Sequence, residues 1–230
     1  MAQWLLIASV ALYGVIMGHL TGRILQSMPA WAFSAGARGV GYGSPASRRP
    51  ALGRNRPRRN SYAGSYGCES SCALVFTAML IIGGPGMNLP VGLLFGLFLL
   101  TLSWVDALTL LLPDRLNGPL LACGLASHVT AWDGADAFKN GLLGAICGAM
   151  ALWGVQRLFR RVKGYEGLGG GDIKLLAALG AWLGWQALPG LCCYAALSGL
   201  AVCAVSGSTQ GKIPFGPCLA LAGWVIYISP

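Results

Sequence analysis

The sequence predicts an all-α, polytopic membrane protein with about eight transmembrane helices. Of its 230 residues, 55% are hydrophobic and only 10% are charged, whereas soluble domains carry roughly 25% charged residues. The mean hydropathy is +0.63. Apolar stretches recur between polar connections, which is typical of helices that cross a bilayer. No repeat of fixed period occurs in the sequence, so we expect residues 1–230 to form a single membrane-embedded domain.

The first half of the chain contains three apolar segments and one long polar loop. The first segment covers about residues 3–20 and is followed by a loop over residues 21–72, rich in Gly, Ser, Pro and Arg. Its part over residues 48–59 lacks hydrophobic periodicity, so we expect this part to be poorly ordered. The second segment, about residues 73–84, is short and ends at Gly-Gly-Pro, which interrupts a helix. The third covers about residues 91–112 and stops at a proline.

Five further apolar segments follow. The fourth, about residues 119–132, starts with a proline, which helices favour in their first turn. The fifth and sixth, about residues 142–159 and 173–188, flank a glycine-rich loop, and the last two cover about residues 191–206 and 217–228. Several are shorter than the roughly 20 residues that a span needs, so we expect some tilted or partly interfacial helices.

The distribution of charge predicts the orientation in the membrane. The net charge of +9 comes from basic residues in loops beside apolar segments. We therefore expect contacts with anionic membrane lipid and no nucleic-acid partner. With eight crossings, every basic residue except Lys139 falls on one side. The positive-inside rule makes that side cytoplasmic, including the loop over residues 21–72, and it leaves both termini extracytoplasmic.

Two of the seven acidic residues have positions that indicate chemistry. Asp106 lies inside the third segment, where an aspartate costs about 3 kcal/mol and indicates function, or else a structural hydrogen bond to a neighbouring helix. Asp172 follows four glycines within residues 167–171, either as part of a site or as the N-cap of the sixth segment. Both lie near the cytoplasmic face. Two carboxylates in one site do not ionise together, so one activates a water while the other, protonated, polarises a carbonyl.

Two alternatives compete with this interpretation. Asp114 lies eight residues after Asp106 at the membrane interface, where it competes for the catalytic role, although its turn-forming tendency favours a loop or cap position. A transporter is the main alternative function, because intramembrane acids and broken helices also form ion pathways. A transporter favours acids at mid-membrane, whereas Asp106 and Asp172 lie toward one face.

These residues resemble the signatures of a known family. Residues 166–175, Glu-Gly-Leu-Gly-Gly-Gly-Asp-Ile-Lys-Leu, look like the GxGD signature of type IV prepilin peptidases, which are bacterial intramembrane aspartic proteases. Residues 106–114, an aspartate followed eight positions later by the aspartate of Leu-Pro-Asp, look like their first-aspartate motif. Residues 212–217, Lys-Ile-Pro-Phe-Gly-Pro, resemble the signature before their last helix, and residues 18–29 partly resemble the stretch after their first.

The resemblance implies that Asp106 and Asp172 are the catalytic pair. It implies a membrane aspartic endopeptidase that cuts the short basic leader from prepilins or prepilin-like secretion proteins, on the cytoplasmic side and just after a glycine. The location implied is the bacterial inner membrane, and the peptidase reaction needs no cofactor. Supporting roles are implied for five further residues: Asp114, Gly169, Gly171, Glu166 and Lys174.

The polar loop departs from the family pattern. Many members carry two Cys-x-x-Cys pairs there, a set suited to zinc, whereas this chain has only Cys68 and Cys72, spaced Cys-x-x-x-Cys. Two cysteines do not close a tetrahedral four-thiolate site, so we expect no zinc. Many members also methylate the new N-terminus with S-adenosylmethionine, and the altered loop counts against that second activity.

Overall fold

The computed structural model describes residues 12, 14–19, 22–23, 70–78, 81, 89–110, 112–129, 134–164, 169–206 and 214–229. Every regular element in these ranges is a helix, which confirms the predicted all-α class. The longer helices, in chain order, are α1 (Leu89–Thr109), α2 (Asp114–Val129), α3 (Gly134–Lys163), α4 (Gly170–Leu183), α5 (Leu188–Ser206) and α6 (Gly216–Ile228). A 3-10 turn, Trp185–Ala187, joins α4 to α5. Residues 14–19 and 70–78 are also helical.

Three stretches of the described chain are long and apolar enough to cross a membrane. They are Pro90–Thr109, Ala135–Lys163 and Trp185–Val205, and α6 adds a shorter apolar helix. The chain is therefore a membrane protein, in agreement with the composition. The count of eight crossings remains a prediction, since residues 3–11 of the first predicted segment and most of the polar loop lie outside the described residues.

The start of α2 differs from the prediction. This helix begins at Asp114, and Pro119 lies inside it rather than in its first turn. The carbonyl of Pro113 accepts hydrogen bonds from the backbone nitrogens of Leu116 (3.1 Å) and Asn117 (3.3 Å). The first turn is therefore already closed before Pro119, which removes only one backbone donor from the second turn.

The predicted sixth segment is divided in the structure. α4 ends at Leu183, and the next residue, Gly184, has φ +79, a conformation that glycine adopts at little cost. Leu188 therefore opens α5 instead of closing the sixth segment. The fifth segment was predicted too short, since α3 extends beyond residues 142–159 at both ends, whereas α1 ends at Thr109, before the predicted residue 112.

α4 is the central helix of the described bundle. Residues 175–182 are all buried, and the helix packs against α2, α3 and α6. Its 14 residues rise only about 21 Å, so α4 is shorter than a full span and is enclosed by its neighbours. Asp172, one of the two acids singled out in the sequence, lies in its first turn.

Glycines allow α3 to approach α4 closely. A Cβ atom at Gly144 would overlap the Gly180 carbonyl oxygen and would lie 2.8 Å from the carbonyl carbons of Gly180 and Gly184. One turn along α3, a Cβ at Gly148 would lie 2.8 Å from the Leu176 carbonyl oxygen. Small residues spaced by about one turn are the usual means by which membrane helices reach such short distances.

An aromatic cluster fixes the other side of α4. The indole nitrogen of Trp182 donates a hydrogen bond to the Leu120 carbonyl of α2 at 2.8 Å, and the indole lies against Gly124. The Phe95 ring of α1 is 4.7 Å from the Trp182 ring and 4.9 Å from the Tyr227 ring of α6, centroid to centroid. One cluster therefore joins four helices, and its aromatic pairs each stabilise by about 1 kcal/mol.

Adding one methyl group at Gly144 tests the α3–α4 contact. Because the Cβ of Gly144→Ala meets backbone atoms that cannot rotate away, we expect destabilisation of about 1–3 kcal/mol. A Cβ at Gly154, on the same helix, meets no atom within 4 Å, so Gly154→Ala should be neutral or stabilising by about 0.5–1 kcal/mol. The measurement is thermal unfolding in detergent micelles, and equal midpoints for the two variants would contradict the contact.

Candidate active site

Asp106 lies in the last turn of α1 and is almost fully buried, with 4% of its surface exposed. Its Oδ2 atom accepts a hydrogen bond of 2.9 Å from the backbone nitrogen of Gly216, the first residue of α6. A Cβ at position 216 would lie 2.7 Å from that oxygen, so only glycine allows this approach. The positive end of the α6 dipole also favours a negative charge there.

Asp172 lies in the first turn of α4 and is 7% exposed. The N-cap of α4 is Gly169, which shows that the alternative role of Asp172 as N-cap is wrong. The backbone nitrogen of Asp172 donates a hydrogen bond to the Gly169 carbonyl at 3.2 Å. A Cβ at Gly169 would lie 3.2 Å from the Asp172 Oδ2 atom. The bare backbone at Gly169 therefore leaves room for the carboxylate.

The structure brings the two predicted acids together. The carboxylates of Asp106 and Asp172 are close enough to interact electrostatically, and both also interact with the thiol of Cys218, two residues into α6. α1, α4 and α6 each contribute to one buried site. Two buried carboxylates in such a site can share a proton, which suits them to combined acid and base chemistry.

Asp114 lies in a different environment. It is the first residue of α2, and its Oδ1 atom is 2.5 Å from the Lys174 ammonium nitrogen. The side chains of Asp114 and Lys174 are 71% and 53% exposed, so the ion pair contributes at most about 1 kcal/mol. The ion pair joins the first residue of α2 to Lys174 of α4, two residues after Asp172. Asp114 and Lys174 were predicted to support the site, and the ion pair between them is a contact through which they can hold the start of α4 in position.

Gly171 brings the connection between α1 and α2 against α4. A Cβ at this position would lie 2.7 Å from the Cβ of Leu112 and 3.4 Å from the Leu112 carbonyl oxygen. A Cβ at the preceding Gly170 would meet no atom within 4 Å. The close packing against Leu112 therefore requires a glycine at position 171 but not at position 170. Of the remaining predicted site residues, Glu166 lies outside the described residues, as does Cys68 of the polar loop.

Two residues of this region were not predicted. Gly216 belongs to a motif that the sequence analysis noted, but a glycine gives no sign that its nitrogen binds a distant carboxylate. Asn117 is 3% exposed, and its side-chain nitrogen and oxygen have no hydrogen-bond partner among the described residues. It lines a cavity of about 320 Å³ with Asp114 and Lys174. The only sequence feature that could have indicated Asn117 is its position three residues after the interfacial Asp114.

Comparisons with known proteins identify related sequences. Residues 93–204, which include both buried acids, match the type IV leader peptidase family. The chain is 40% identical over 162 residues to a protein of Aeromonas hydrophila named prepilin leader peptidase/N-methyltransferase, covering 68% of this chain and 55% of that protein. Proteins of the same name from Pectobacterium carotovorum subsp. carotovorum and Burkholderia pseudomallei (strain 1026b) are 41% and 43% identical, over 74% and 67% of this chain.

The matched region spans only 63% and 50% of those last two relatives, so this chain corresponds to about half to two thirds of their lengths. No solved structure matches the chain.

A comparison of neighbouring glycines tests the position of Asp172. In Gly171→Ala the new methyl group pushes against Leu112 and displaces the first turn of α4, and a shift of about 1 Å in a site lowers a rate by about 100-fold. Gly171→Val should inactivate completely. Gly170→Ala should keep activity within about twofold, as substitutions without contacts do. The measurement is peptide hydrolysis by purified variants, and equal losses at both positions would contradict the close approach of Leu112.

Proposed function

Because the chain belongs to the type IV leader peptidase family, we propose that it is a membrane aspartic endopeptidase whose catalytic pair is Asp106 and Asp172. The substrate is a prepilin or prepilin-like protein, cut just after a glycine at the end of its short basic leader. The observation that supports this function most directly is the burial of two acids, far apart in the sequence, at one place between three helices.

The two carboxylates divide the work of hydrolysis between them. One carboxylate removes a proton from a water molecule, whose oxygen attacks the carbonyl carbon of the scissile bond, while the protonated partner donates a hydrogen bond to the carbonyl oxygen. A proton from the pair then goes to the leaving nitrogen as the C–N bond breaks. Because the pair shares its protons, the two acids act as one unit. The Gly216 nitrogen holds one oxygen of Asp106 in place throughout.

The polar residues around the pair position it. The ion pair between Asp114 and Lys174 lies outside the buried site, where it holds the start of α4 against the start of α2. Gly169 and Gly171 keep the backbone beside Asp172 bare. Glu166 belongs to the same loop, and its charge suits a basic leader. These residues therefore support the reaction without contacting the scissile bond.

The proposal is limited to peptide hydrolysis. The names of the relatives include N-methyltransferase, and such a reaction takes its methyl group from S-adenosylmethionine. In this chain the polar loop has only two of the four cysteines that many family members carry there. The mass of the new N-terminus, measured after cleavage of a prepilin, distinguishes a free amine from a methylated one.

Substitution of the acids by amides tests the catalytic pair. Asn cannot exchange a proton as Asp does, so Asp106→Asn and Asp172→Asn should each lower prepilin cleavage by at least about 10³-fold. The double variant should be no worse than either single variant, because the residues of a unit are not additive. Asp114→Asn is the matched control and should retain some activity, because Asp114 only helps to position the site. All variants should accumulate in the membrane. Cleavage that survives in Asp106→Asn and disappears in Asp114→Asn would transfer the catalytic role to Asp114.

The proposed location is the bacterial inner membrane, with the glycine loop in the cytoplasm. Gly164 follows the last residue of α3 at an exposed position, whereas Asp136 lies in the first turn of that helix. A Cβ at Gly164 meets no atom within 4 Å, and its φ of +78 makes a cysteine there cost about 1–2 kcal/mol, which an exposed helix end tolerates. In a background without reactive native thiols, Asp136→Cys should react with an impermeant thiol reagent added to spheroplasts, and Gly164→Cys should not. Labelling in the reverse order would invert the proposed topology. Ser47, in the arginine-rich loop, should be shielded like Gly164, although it lies outside the described residues.

A further inference from the structure

The cavity of about 320 Å³ that Asn117 lines, here called the amide cavity, lies between three helices. Four of its lining residues belong to α2, one to α3 and three to α4. Gly118 of α2 and Lys174 of α4 are exposed, and Leu121 of α2 and Ala149 of α3 are half-buried. The cavity is therefore open between α2 and α3. Since Ala149 belongs to the candidate span Ala135–Lys163, membrane lipid surrounds this opening.

The amide cavity is separate from the site of the two acids. Successive residues of an α-helix are about 100° apart around its axis. The three α4 residues that line the cavity, Ile173, Lys174 and Ala177, therefore lie about 100–160° from Asp172 around the helix. Asp172 interacts with Asp106 of α1, whereas the cavity faces α2 and α3. An occupant of the cavity contacts another side of α4 and does not touch the two acids.

Asn117 is the feature that indicates a ligand. Both polar atoms of its side-chain amide lack a hydrogen-bond partner among the described residues, and only 3% of the residue is exposed. A buried polar group without a partner destabilises a fold, so such groups are rare and require an explanation. The amide nitrogen donates hydrogen bonds and the amide oxygen accepts them. The missing partner therefore carries both an acceptor and a donor.

The polarity of the amide cavity changes along α2. Asp114 and Lys174 form an exposed ion pair at its mouth. Asn117 and Leu121 follow at about 4.5 and 10 Å along the helix axis, and the wall that α3 contributes, Ala149, is apolar. Charge at the mouth, an amide one turn further in and apolar surface beyond it match a phospholipid, which has a charged headgroup, ester linkages and acyl chains in the same order. Water alone would leave the apolar wall without a partner.

The ion pair limits the charge of the occupant. An anion alone would meet the Asp114 carboxylate, and a cation alone would meet the Lys174 ammonium. Because an exposed ion pair is weak, both side chains can exchange partners with a group that carries both charges. Its anion then binds Lys174 and the nitrogen of Asn117, and its cation donates to Asp114 and the oxygen of Asn117. The phosphate and ammonium of a phosphatidylethanolamine headgroup meet these requirements.

We propose that the amide cavity binds the headgroup of a membrane phospholipid that carries both a phosphate and an ammonium, with the acyl chains lying along α2 and α3. The site does not depend on the proposed hydrolysis of a peptide. Lys174 is two residues after Asp172, so the bound headgroup holds the first turn of α4 between α2 and α3. Phosphatidylcholine has the same charges, but its methylated nitrogen has no hydrogen to donate, which makes it the matched control lipid.

Thermal unfolding in detergent micelles tests the ligand. Phosphatidylethanolamine, added to the purified protein at a saturating mole fraction, should raise the unfolding midpoint by about 5 °C. Phosphatidylcholine with the same acyl chains should raise it by less than about 1 °C, because it leaves the amide oxygen and the carboxylate without a donor. Equal shifts from the two lipids would show general solvation by lipid and would overturn the proposal. An equal shift from phosphatidylglycerol, or from free phosphoethanolamine, would also overturn it.

Replacement of Asn117 assigns the effect to the cavity. Asn117→Leu nearly keeps the side-chain volume and removes the amide, so without lipid it should unfold at the same temperature or a higher one. Its affinity for phosphatidylethanolamine, from titration of the midpoint, should fall about tenfold through the loss of two hydrogen bonds. Asn140→Leu, at an exposed position of α3, is the matched control and should keep the affinity. Unchanged affinity in Asn117→Leu, or a lower midpoint without lipid, would contradict the site.

Discussion

The helices of this protein are held together where a glycine allows one backbone to reach another element, and the site depends on these approaches. Within lipid, helices gain little from burying apolar surface, so close contact provides most of the packing energy. Gly144 and Gly180 bring α3 against α4. Gly171 sets the start of α4 against the connection between α1 and α2, and Gly216 lets α6 reach Asp106. Together they fix the two carboxylates relative to each other.

Asp106 and Asp114 lie eight residues apart in the sequence but in opposite environments. Leu110 follows α1 with φ 53, and its nitrogen bonds to the Asp106 carbonyl at 2.8 Å, which ends the helix. The chain then turns outward, so one aspartate is 4% exposed and the other 71%. A buried charge costs several kcal/mol unless it is compensated, and the Gly216 nitrogen compensates Asp106 in part. The exposed carboxylate of Asp114 keeps its solvation and has no such burial cost, and its ion pair with Lys174 joins the starts of α2 and α4.

Much of the fold and the core of the site could be predicted from the sequence. The apolar segments predicted α1, α5 and α6 to within three residues at each end. This succeeds because a helix in contact with lipid needs a long run of apolar residues, which is visible in the sequence. An aspartate inside such a stretch is conspicuous, which singled out Asp106, and the glycine-rich loop singled out Asp172. The structure buries both residues, and their catalytic role remains a prediction. The break at Gly184 was missed because apolar composition continues across it and only backbone geometry divides the two helices. The start of α2 was missed for the opposite reason, since its first residues, Asp-Arg-Leu-Asn-Gly, are mostly polar and look like a loop. The bond from Gly216 was missed because it joins residues that are distant in sequence.

The depth of the two acids suits the proposed hydrolysis of a peptide in a membrane. A pair at mid-membrane would be far from water, whereas an exposed pair would ionise fully and lose the shared proton that the reaction uses. Asp106 and Asp172 are both buried, and Asp172 is two residues from the exposed Lys174. The charged surface that Asp114 and Lys174 form at the starts of α2 and α4 therefore adjoins the first turn of α4, which carries Asp172. The two acids thus combine burial with a position close to a solvated surface, as the proposed reaction requires.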